Sequence, residues 1–403
     1  MTVDTATKTS RLHDLLQGAQ SLAPIVDAHR DESEALRHLA PAIAQALRER
    51  GLFCTWLPDS LGGPELSIEG SVLVMEALSK LDGSVGWSSM ISSNHSILWA
   101  HIAHDAAVEA TRGGRTVIAG TIGSGGTAAM PGGGIATIVP GGYRVTGRWP
   151  FASGCHHADW MVANGSIREA NAELRRNKAG TGVGLFSFLL PPSEVTLLDN
   201  WHTTGMRGTG SHDFTATDVF VPEELMFSTS QPESYEPSSL YSTGRPTPWS
   251  ANIAGVSLGI ARDAIDTFVA IAKSKPSNMN RASLIERETA HKAVGEAEGR
   301  LRSGRLFLLD TCRQVDAYID RREPIPEDLA ALMRCAASTA TLASMEVCDS
   351  MFTMAGMTGV YATSHLDRCF RDVHMVTQHV VGGLAGLTVS GRYFLGLGLA
   401  TPL

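Results

Sequence analysis

The sequence predicts an α+β fold laid out in three successive blocks: helices, then strands, then helices. Three observations predict it. Residues 11–112 are rich in Ala, Leu, Glu and Arg, with apolar residues at three- and four-residue spacing, as in ALRHLAPAIAQALRERGLF. From about residue 115 short β-like runs separated by glycine-rich turns replace that period. From residue 251 the helical texture returns and continues to the end. Helices and strands do not alternate, which argues against a doubly wound parallel sheet.

The first block, residues 1–112, is interrupted at LPDSLGGPELS and resumes its period in SIEGSVLVMEALSKLDGSVGW. The second, residues 113–227, contains TVIAGTI, GGYRVTGRWPF, DWMVANGSI, GVGLFSFLL and TATDVFVP. In VTGRWPF, Val145, Trp149 and Phe151 recur at even spacing with Arg144, Thr146 and Arg148 between them, and the pattern stops at Ala-Ser-Gly-Cys-His-His. Pro150 predicts an edge strand or a bulge at that point. Residues 228–250, rich in Ser, Pro and Tyr, read as a long loop, either a lid or a simple linker. The third block, residues 251–403, reads as a helical bundle; its segment VVGGLAGLTVSG has the small residues that close helix contacts require.

Bulk properties narrow the function. The chain has 403 residues, 43% of them hydrophobic and 18% charged, with a net charge of −8. That charge disfavours a general nucleic-acid footprint, which needs a basic face. No apolar run reaches the ~18–20 residues needed to cross a bilayer. The stretch MTVDTATKTSRLHDLL lacks the basic and apolar regions of a signal peptide, so a cytoplasmic location is expected. Six cysteines, at 54, 155, 312, 335, 348 and 369, form no CxxC pair and read as reduced, mostly buried thiols.

Most short motifs fail on context. Residues 123–128 fit G-x-G-x-x-A, but the following AMPGGGIATIV has no helical pattern and no acidic residue lies about twenty positions on, so a tight glycine turn is expected rather than a nicotinamide site. His101 and His104 have a spacing that suits one helix face, yet H-E-x-x-H is absent and no metal centre is expected. No G-x-S-x-G elbow occurs. HLDRCFRDVHMVTQHVV is more informative. Read as a helix, it places Arg368, Asp372, Met375 and His379 on one face, with Asp372 and His379 ~10 Å apart along the axis. His379 then enters an apolar place among Val376, Val380 and Val381.

Four segments in order now carry a resemblance: Trp149 to Gly154, Asn200 to Ser211 (NWHTTGMRGTGS), Asp218 to Pro222, and Arg368 to Asp372. Together with the block order they resemble the acyl-CoA dehydrogenase fold: an N-terminal helical domain, a central β-barrel-like domain and a C-terminal four-helix bundle. In that family the β domain walls one side of a flavin, and the C-terminal helices supply the other side and the core of a homotetramer. The resemblance implies that Trp149 and Phe151 are core or wall residues and that Ser153 stands near the flavin edge.

The chain departs from the dehydrogenases where their chemistry resides. Their carboxylate base has no counterpart, since no glutamate follows Glu346 and none lies between residues 237 and 285. Their arginine-phenylalanine-glycine cofactor grip is replaced by KSKPSNMNRASL, which implies weak flavin retention. With its serine-glycine after the aromatic strand and RDVHMVTQHV, the chain resembles instead the flavin-dependent monooxygenases of this fold. These are oxygenase components of two-component systems, such as the hydroxylases of 4-hydroxyphenylacetate and steroid phenols and the dibenzothiophene monooxygenase. The resemblance implies reduced flavin (FMNH2 or FADH2), O2, a C4a-(hydro)peroxyflavin, a small aromatic substrate and a separate NAD(P)H:flavin reductase. Oxygenation at nitrogen or sulfur, or dehydrogenation of an acyl-CoA, are the alternatives. By the same resemblance His379 is the base or the hydroperoxide partner, suited by an ordinary pKa of ~6.5. Ser153 donates a hydrogen bond to the peroxide, and His95 is a second active-site histidine. Thr121, Ser124, Phe151, Ser153, Trp201 and Gln378 adjoin the flavin.

Overall fold

The computed structural model describes residues 5–111, 113–121, 133–229, 233–243, 246–274, 283–383 and 385–399. Its first block contains α1 (Thr5–Gln20), α2 (Ala23–Leu36), α3 (Pro41–Glu49), α4 (Ile68–Ser79), α5 (Gly83–Ser96) and α6 (His104–Thr111). The strands are β1 (Ile118–Gly120), β2 (Gly133–Val139), β3 (Gly142–Trp149), β4 (Trp160–Arg168), β5 (Phe186–Leu190), β6 (Thr196–Leu198), β7 (Asp213–Pro222) and β8 (Met226–Ser228). The last block contains α7 (Pro246–Ser274), α8 (Glu288–Asp320), α9 (Glu327–Ala355), α10 (His365–Thr377) and α11 (Ala385–Phe394). No helix among the described residues is long and apolar enough to cross a membrane.

The two helical blocks share one apolar core, and the strands enclose a second. Helix α5 lies where the blocks meet. Asp82 starts it, accepting the N–H groups of Ser84 and Val85 at 2.9 and 3.2 Å. Its buried faces carry serines (84, 88, 89, 92, 93 and 96) rather than long side chains, so neighbouring elements approach closely. A second clasp joins first block to last: the Asp316 carboxylate of α8 accepts the N–H groups of Ile68 and Glu69 at the start of α4, at 2.8 and 3.0 Å. Burial pushes the Asp316 pKa up to about 7.

The strands form one eight-stranded sheet in the order β6-β7-β3-β2-β4-β5-β8, with β1 parallel to β4. The strand containing the aromatic pattern differs from expectation. It is interior, flanked by β2 and β7, and its irregularity lies between Val145 and Gly147 rather than at Pro150. Pro150 instead follows the last ladder residue, Trp149, where its missing N–H costs no sheet bond. Trp149 is buried, stacked on Phe214 at 4.9 Å, and its indole N–H donates to the Asn164 carbonyl at 2.7 Å. Gly134 and Gly147 make room for it, since a Cβ at either would lie 2.5 or 2.8 Å from the indole.

Two other expectations change. Helix α7 begins at Pro246, five residues before residue 251, because a proline in the first helical turn needs no N–H partner. Within 228–250, Ser239–Ser242 form a 3-10 turn, with Leu240 and Tyr241 buried and the Tyr241 hydroxyl donating to the Trp56 carbonyl at 3.3 Å. Among the small residues of VVGGLAGLTVSG, Gly386 packs against Ser338 of α9 and Gly382 against Ile253 of α7, contacts made within the chain.

Candidate active site

The site grows from the turn that ends β3. Phe151 adopts a left-handed backbone, φ 61°, and its ring is 55% exposed. Trp149 is therefore core, whereas Phe151 is not. Such a conformation persists only where surroundings hold it. Here Thr121 donates its hydroxyl to the Pro150 carbonyl, the Ala152 N–H donates to the His212 carbonyl at 2.9 Å, and the Gly154 N–H to the Thr209 carbonyl at 2.8 Å. Trp201 meets the Phe151 ring edge to face at 6.5 Å. The exposed, fixed ring of Phe151 and the adjoining indole form a wall suited to a flat heteroaromatic partner.

Ser153, buried behind that wall, joins a chain of polar groups. It accepts the indole N–H of Trp87 from α5 at 3.1 Å and lies 2.6 Å from the Ser211 hydroxyl. Ser211 lies 2.6 Å from the Thr209 hydroxyl, which donates to the Met206 carbonyl at 2.8 Å. The Trp201 indole N–H reaches the same carbonyl at 3.0 Å. Met206 is buried with φ 51°, and its N–H donates to Asp372 of α10 at 2.6 Å. The loop 201–211 is thus fastened to the C-terminal block. Burial first, then the charge of Asp82, hold the Asp372 carboxyl above the usual carboxylate range.

His379 differs from the helical reading. Helix α10 ends at Thr377, so His379 does not continue the face of Arg368 and Asp372. The cause lies in the Val-Val-Gly-Gly that follows: the Gly383 N–H returns to the His379 carbonyl at 2.8 Å, closing a turn, and Gly383 packs where a Cβ would meet the Thr377 carbonyl. In that turn His379 Nδ1 accepts the Val381 N–H at 3.1 Å, and the ring stands edge to face with Trp87 at 5.6 Å. Burial, helped by the Arg334 cation, pulls the His379 pKa down to about 4. The ring is therefore neutral near pH 7, and with Nδ1 accepting, its proton resides on Nε2. Gln378 is exposed and donates its amide to the Thr377 hydroxyl at 3.0 Å.

Other expected residues lie apart. His95 is buried on α5 against Trp249, with ring centroids 5.8 Å apart, and ~12 Å beyond Trp87 along the helix axis. Ser124, like the whole 123–128 motif, lies outside the described residues. His101 falls in a 3-10 turn and His104 opens α6, so the two do not share a helix face.

The imidazoles after Ser153 belong to a cluster behind the turn. His156 stacks on His38 at 4.2 Å and meets His212 at 5.2 Å. Desolvation brings His156 and His157 down to about 4. His212 Nδ1 accepts the N–H groups of Asn200 and Trp201, both at 3.2 Å, and so holds the Trp201 backbone. Asp263, His365 and Cys369 place donor atoms within 4.8 Å of one another, with Arg30 against the imidazole. All six cysteines are free, five of them buried.

Sequence reasoning missed Trp87, Thr209, Ser211 and the Met206–Asp372 bond. Thr209 and Ser211 lay inside the quoted NWHTTGMRGTGS, but their alignment on Ser153 depends on the Met206 conformation. Trp87 comes from a helix some sixty residues earlier and carries no motif.

Two family profiles match the chain, the acyl-CoA dehydrogenase N-terminal domain on residues 18–111 and the acyl-CoA dehydrogenase C-terminal domain on residues 251–382. The chain is 30% identical to the indole-3-acetate monooxygenase of Pseudomonas putida, covering 94% of this chain and 95% of that protein. It is 27% identical to the flavin-dependent monooxygenase oxygenase subunit HsaA of Mycobacterium tuberculosis, over 91% of each. The fold is also that of XiaF from Streptomyces sp., solved in complex with FADH2 and glycerol, with a TM-score of 0.87, 23% identity and 98% of each chain covered.

Proposed function

The chain belongs to the flavin-dependent monooxygenases of the acyl-CoA dehydrogenase fold, and from that premise we propose that it is the oxygenase component of a two-component system acting on a small aromatic substrate. It takes FMNH2 or FADH2 from a separate NAD(P)H:flavin reductase and uses O2. The observation that carries the reading is Trp87, whose single side chain bonds Ser153 and contacts the neutral imidazole of His379. A dehydrogenase would need a carboxylate base there, and no glutamate follows Glu346.

Reduced flavin, when bound, supplies the electrons that activate dioxygen. The chain's residues supply its surroundings. Phe151 and Trp201 offer aromatic surface, and Thr121 holds the Phe151 turn in place through Pro150. The buried hydroxyls of Ser153, Ser211 and Thr209 tie that wall to the loop behind it. His379 has its Nδ1 filled by the Val381 N–H, so it meets a substrate oxygen through Nε2–H. Its lowered pKa and this tautomer favour a hydrogen-bond donor over the base. Gln378, exposed beside it, belongs at the rim of the site, and His95 lies farther from it along α5.

A homotetramer is supported by exposed apolar side chains on the last block, among them Leu306, Phe394, Leu395 and Leu397. Six free thiols suit the reducing cytoplasm, where a reductase partner finds NAD(P)H. Scattering mass at micromolar concentration tests the assembly, and a monomer contradicts it. Anaerobic titration with reduced and oxidised FMN and FAD tests the function. Reduced flavin should bind more tightly; tighter oxidised binding, or NADH oxidation by the protein alone, overturns the reading.

A further inference from the structure

Two arginines among the described residues are buried, each 8% exposed, and they differ in company. Arg368 of α10 has the carboxylates of Asp31, Glu34 and Asp82 at 2.6, 3.6 and 3.5 Å. Arg334 of α9 has no such carboxylate among the described residues. Its Nε is buried without a partner, and burial alone, with no neighbouring acid to offset it, presses its pKa below the ordinary value. A guanidinium does not shed its proton near neutral pH, and a buried charge left unpaired is strongly destabilising. Arg334 also stands on the face of α9 that carries the His379 turn. Ser338, one helical turn further on, donates its hydroxyl to the Gly383 carbonyl at 2.7 Å. A Cβ at Gly386 would lie 2.2 Å from that hydroxyl and 2.9 Å from the Arg334 carbonyl, so the segment after the turn lies flat on this face. The Arg334 cation is near enough to act on the His379 ring.

We propose that Arg334 is a specificity-determining residue that pairs with a carboxylate of the substrate, so that the chain acts on an aromatic acid rather than on a neutral aromatic compound. The inference rests on the flavin-dependent reading above and narrows its substrate class. His379 meets the oxygen of the reacting ring, and Arg334, from the helix behind the same turn, takes the acid group at the other end of the molecule. A guanidinium presents its N–H donors in a planar fork that fits the two oxygens of a carboxylate. Away from water such a pair is stronger than at the surface. The phosphate of the flavin fits this position less well. The aromatic wall offered to the flavin, Phe151 and Trp201, belongs to the strand block, whereas α9 packs against α7, α8, α10 and α11. A substrate carboxylate also gives the buried cation a reason to be there, since its desolvation is offset when the acid binds.

The test is the ratio of dissociation constants for an aromatic acid and its neutral amide, measured anaerobically by equilibrium dialysis on the full chain loaded with reduced FMN. The probes are indole-3-acetate, 4-hydroxyphenylacetate and 4-hydroxybenzoate, each beside its amide. The parent should bind at least one acid about tenfold to hundredfold more tightly than its amide, the size of one hydrogen bond to a charged group. Arg334→Met keeps the length without the charge and should bring that ratio to about one, while Arg334→Lys should retain a preference for the acid. General damage weakens acid and amide alike, so a parental ratio in Arg334→Met overturns the inference. A parent that binds reduced FMN but shows no preference for any of the acids overturns the inference and leaves the functional reading standing. A parent that binds no reduced FMN overturns both. Two rival occupants have their own signatures. If Arg334→Met weakens reduced FMN but not reduced riboflavin, the guanidinium holds the phosphate of the cofactor. If it lowers the scattering mass, the guanidinium pairs with a carboxylate of a second copy. Either result overturns the inference.

Discussion

The rings of Trp87 and His379 meet edge to face with centroids 5.6 Å apart, and this contact joins a helix of the first block to a turn of the last. The same indole donates to Ser153 in the strand block at 3.1 Å. Trp87→Phe keeps an aromatic edge for His379 but removes the donor. Stability should fall by about 1 kcal/mol in chemical denaturation, and product formed per O2 consumed should drop. A parental yield would make the indole bond incidental.

His379→Ala should separate oxygen use from oxygenation. Reduced flavin arrives already charged with electrons, so O2 consumption should continue. Product should fall by roughly 10²-fold, within the range for losing a donor or acid–base group, while hydrogen peroxide rises to match. Counting product and peroxide in parallel decides it; parental product formation would make the histidine structural.

The half-buried imidazole also has a pH signature. His379 is held at about 4 when folded, below its value of ~6.5 in the unfolded chain. The unfolded state takes the proton first, so this contribution is intact above about pH 6.5 and is lost as the pH falls toward 4. His379→Gln should flatten the acid limb of stability by about 2 kcal/mol between pH 7 and 4. Denaturation midpoints across that range measure it, and a parallel loss in both proteins would contradict the neutral ring.

Asp372 has the opposite sign. Its folded pKa is raised, chiefly by burial, so the neutral carboxyl's contribution is present below ~4 and is lost as the pH rises through the folded value. Asp372→Asn keeps an acceptor for the Met206 N–H. It should match the parent within about 0.5 kcal/mol below pH 4 and gain on it as the pH rises. Asp372→Ala should lose about 2 kcal/mol, the cost of an unpaired buried N–H. If Asn instead loses ground to the parent as the pH rises, the carboxyl is charged in the fold and the buried neutral form is wrong.

The block order was legible because it rests on local periodicity, helical in ALRHLAPAIAQALRERGLF and alternating in VTGRWPF. Periodicity misplaced His379, because valines extend a helical pattern through 381 while Gly382 and Gly383 turn the chain at 377. It also misjudged Phe151: even spacing put it with Trp149, but the left-handed backbone after Pro150 turns it outward. The chain of hydroxyls from Ser153 through Ser211 to Thr209 was illegible for another reason: it forms only because the left-handed backbone at Met206 turns that loop onto the end of β3, and no one-dimensional spacing records that turn.

Following the oxygen atom tests monooxygenase activity in this chain outright. The purified protein is mixed with chemically reduced FMN or FAD, 18O2 and a panel of phenols and indoles that includes indole-3-acetate, and products are analysed by mass spectrometry. One 18O atom is expected in an aromatic product, formed without NAD(P)H once reduced flavin is supplied. Oxygen consumed entirely to peroxide across the panel, together with flavin reduction by an acyl-CoA thioester, would contradict it and return the chain to the dehydrogenases.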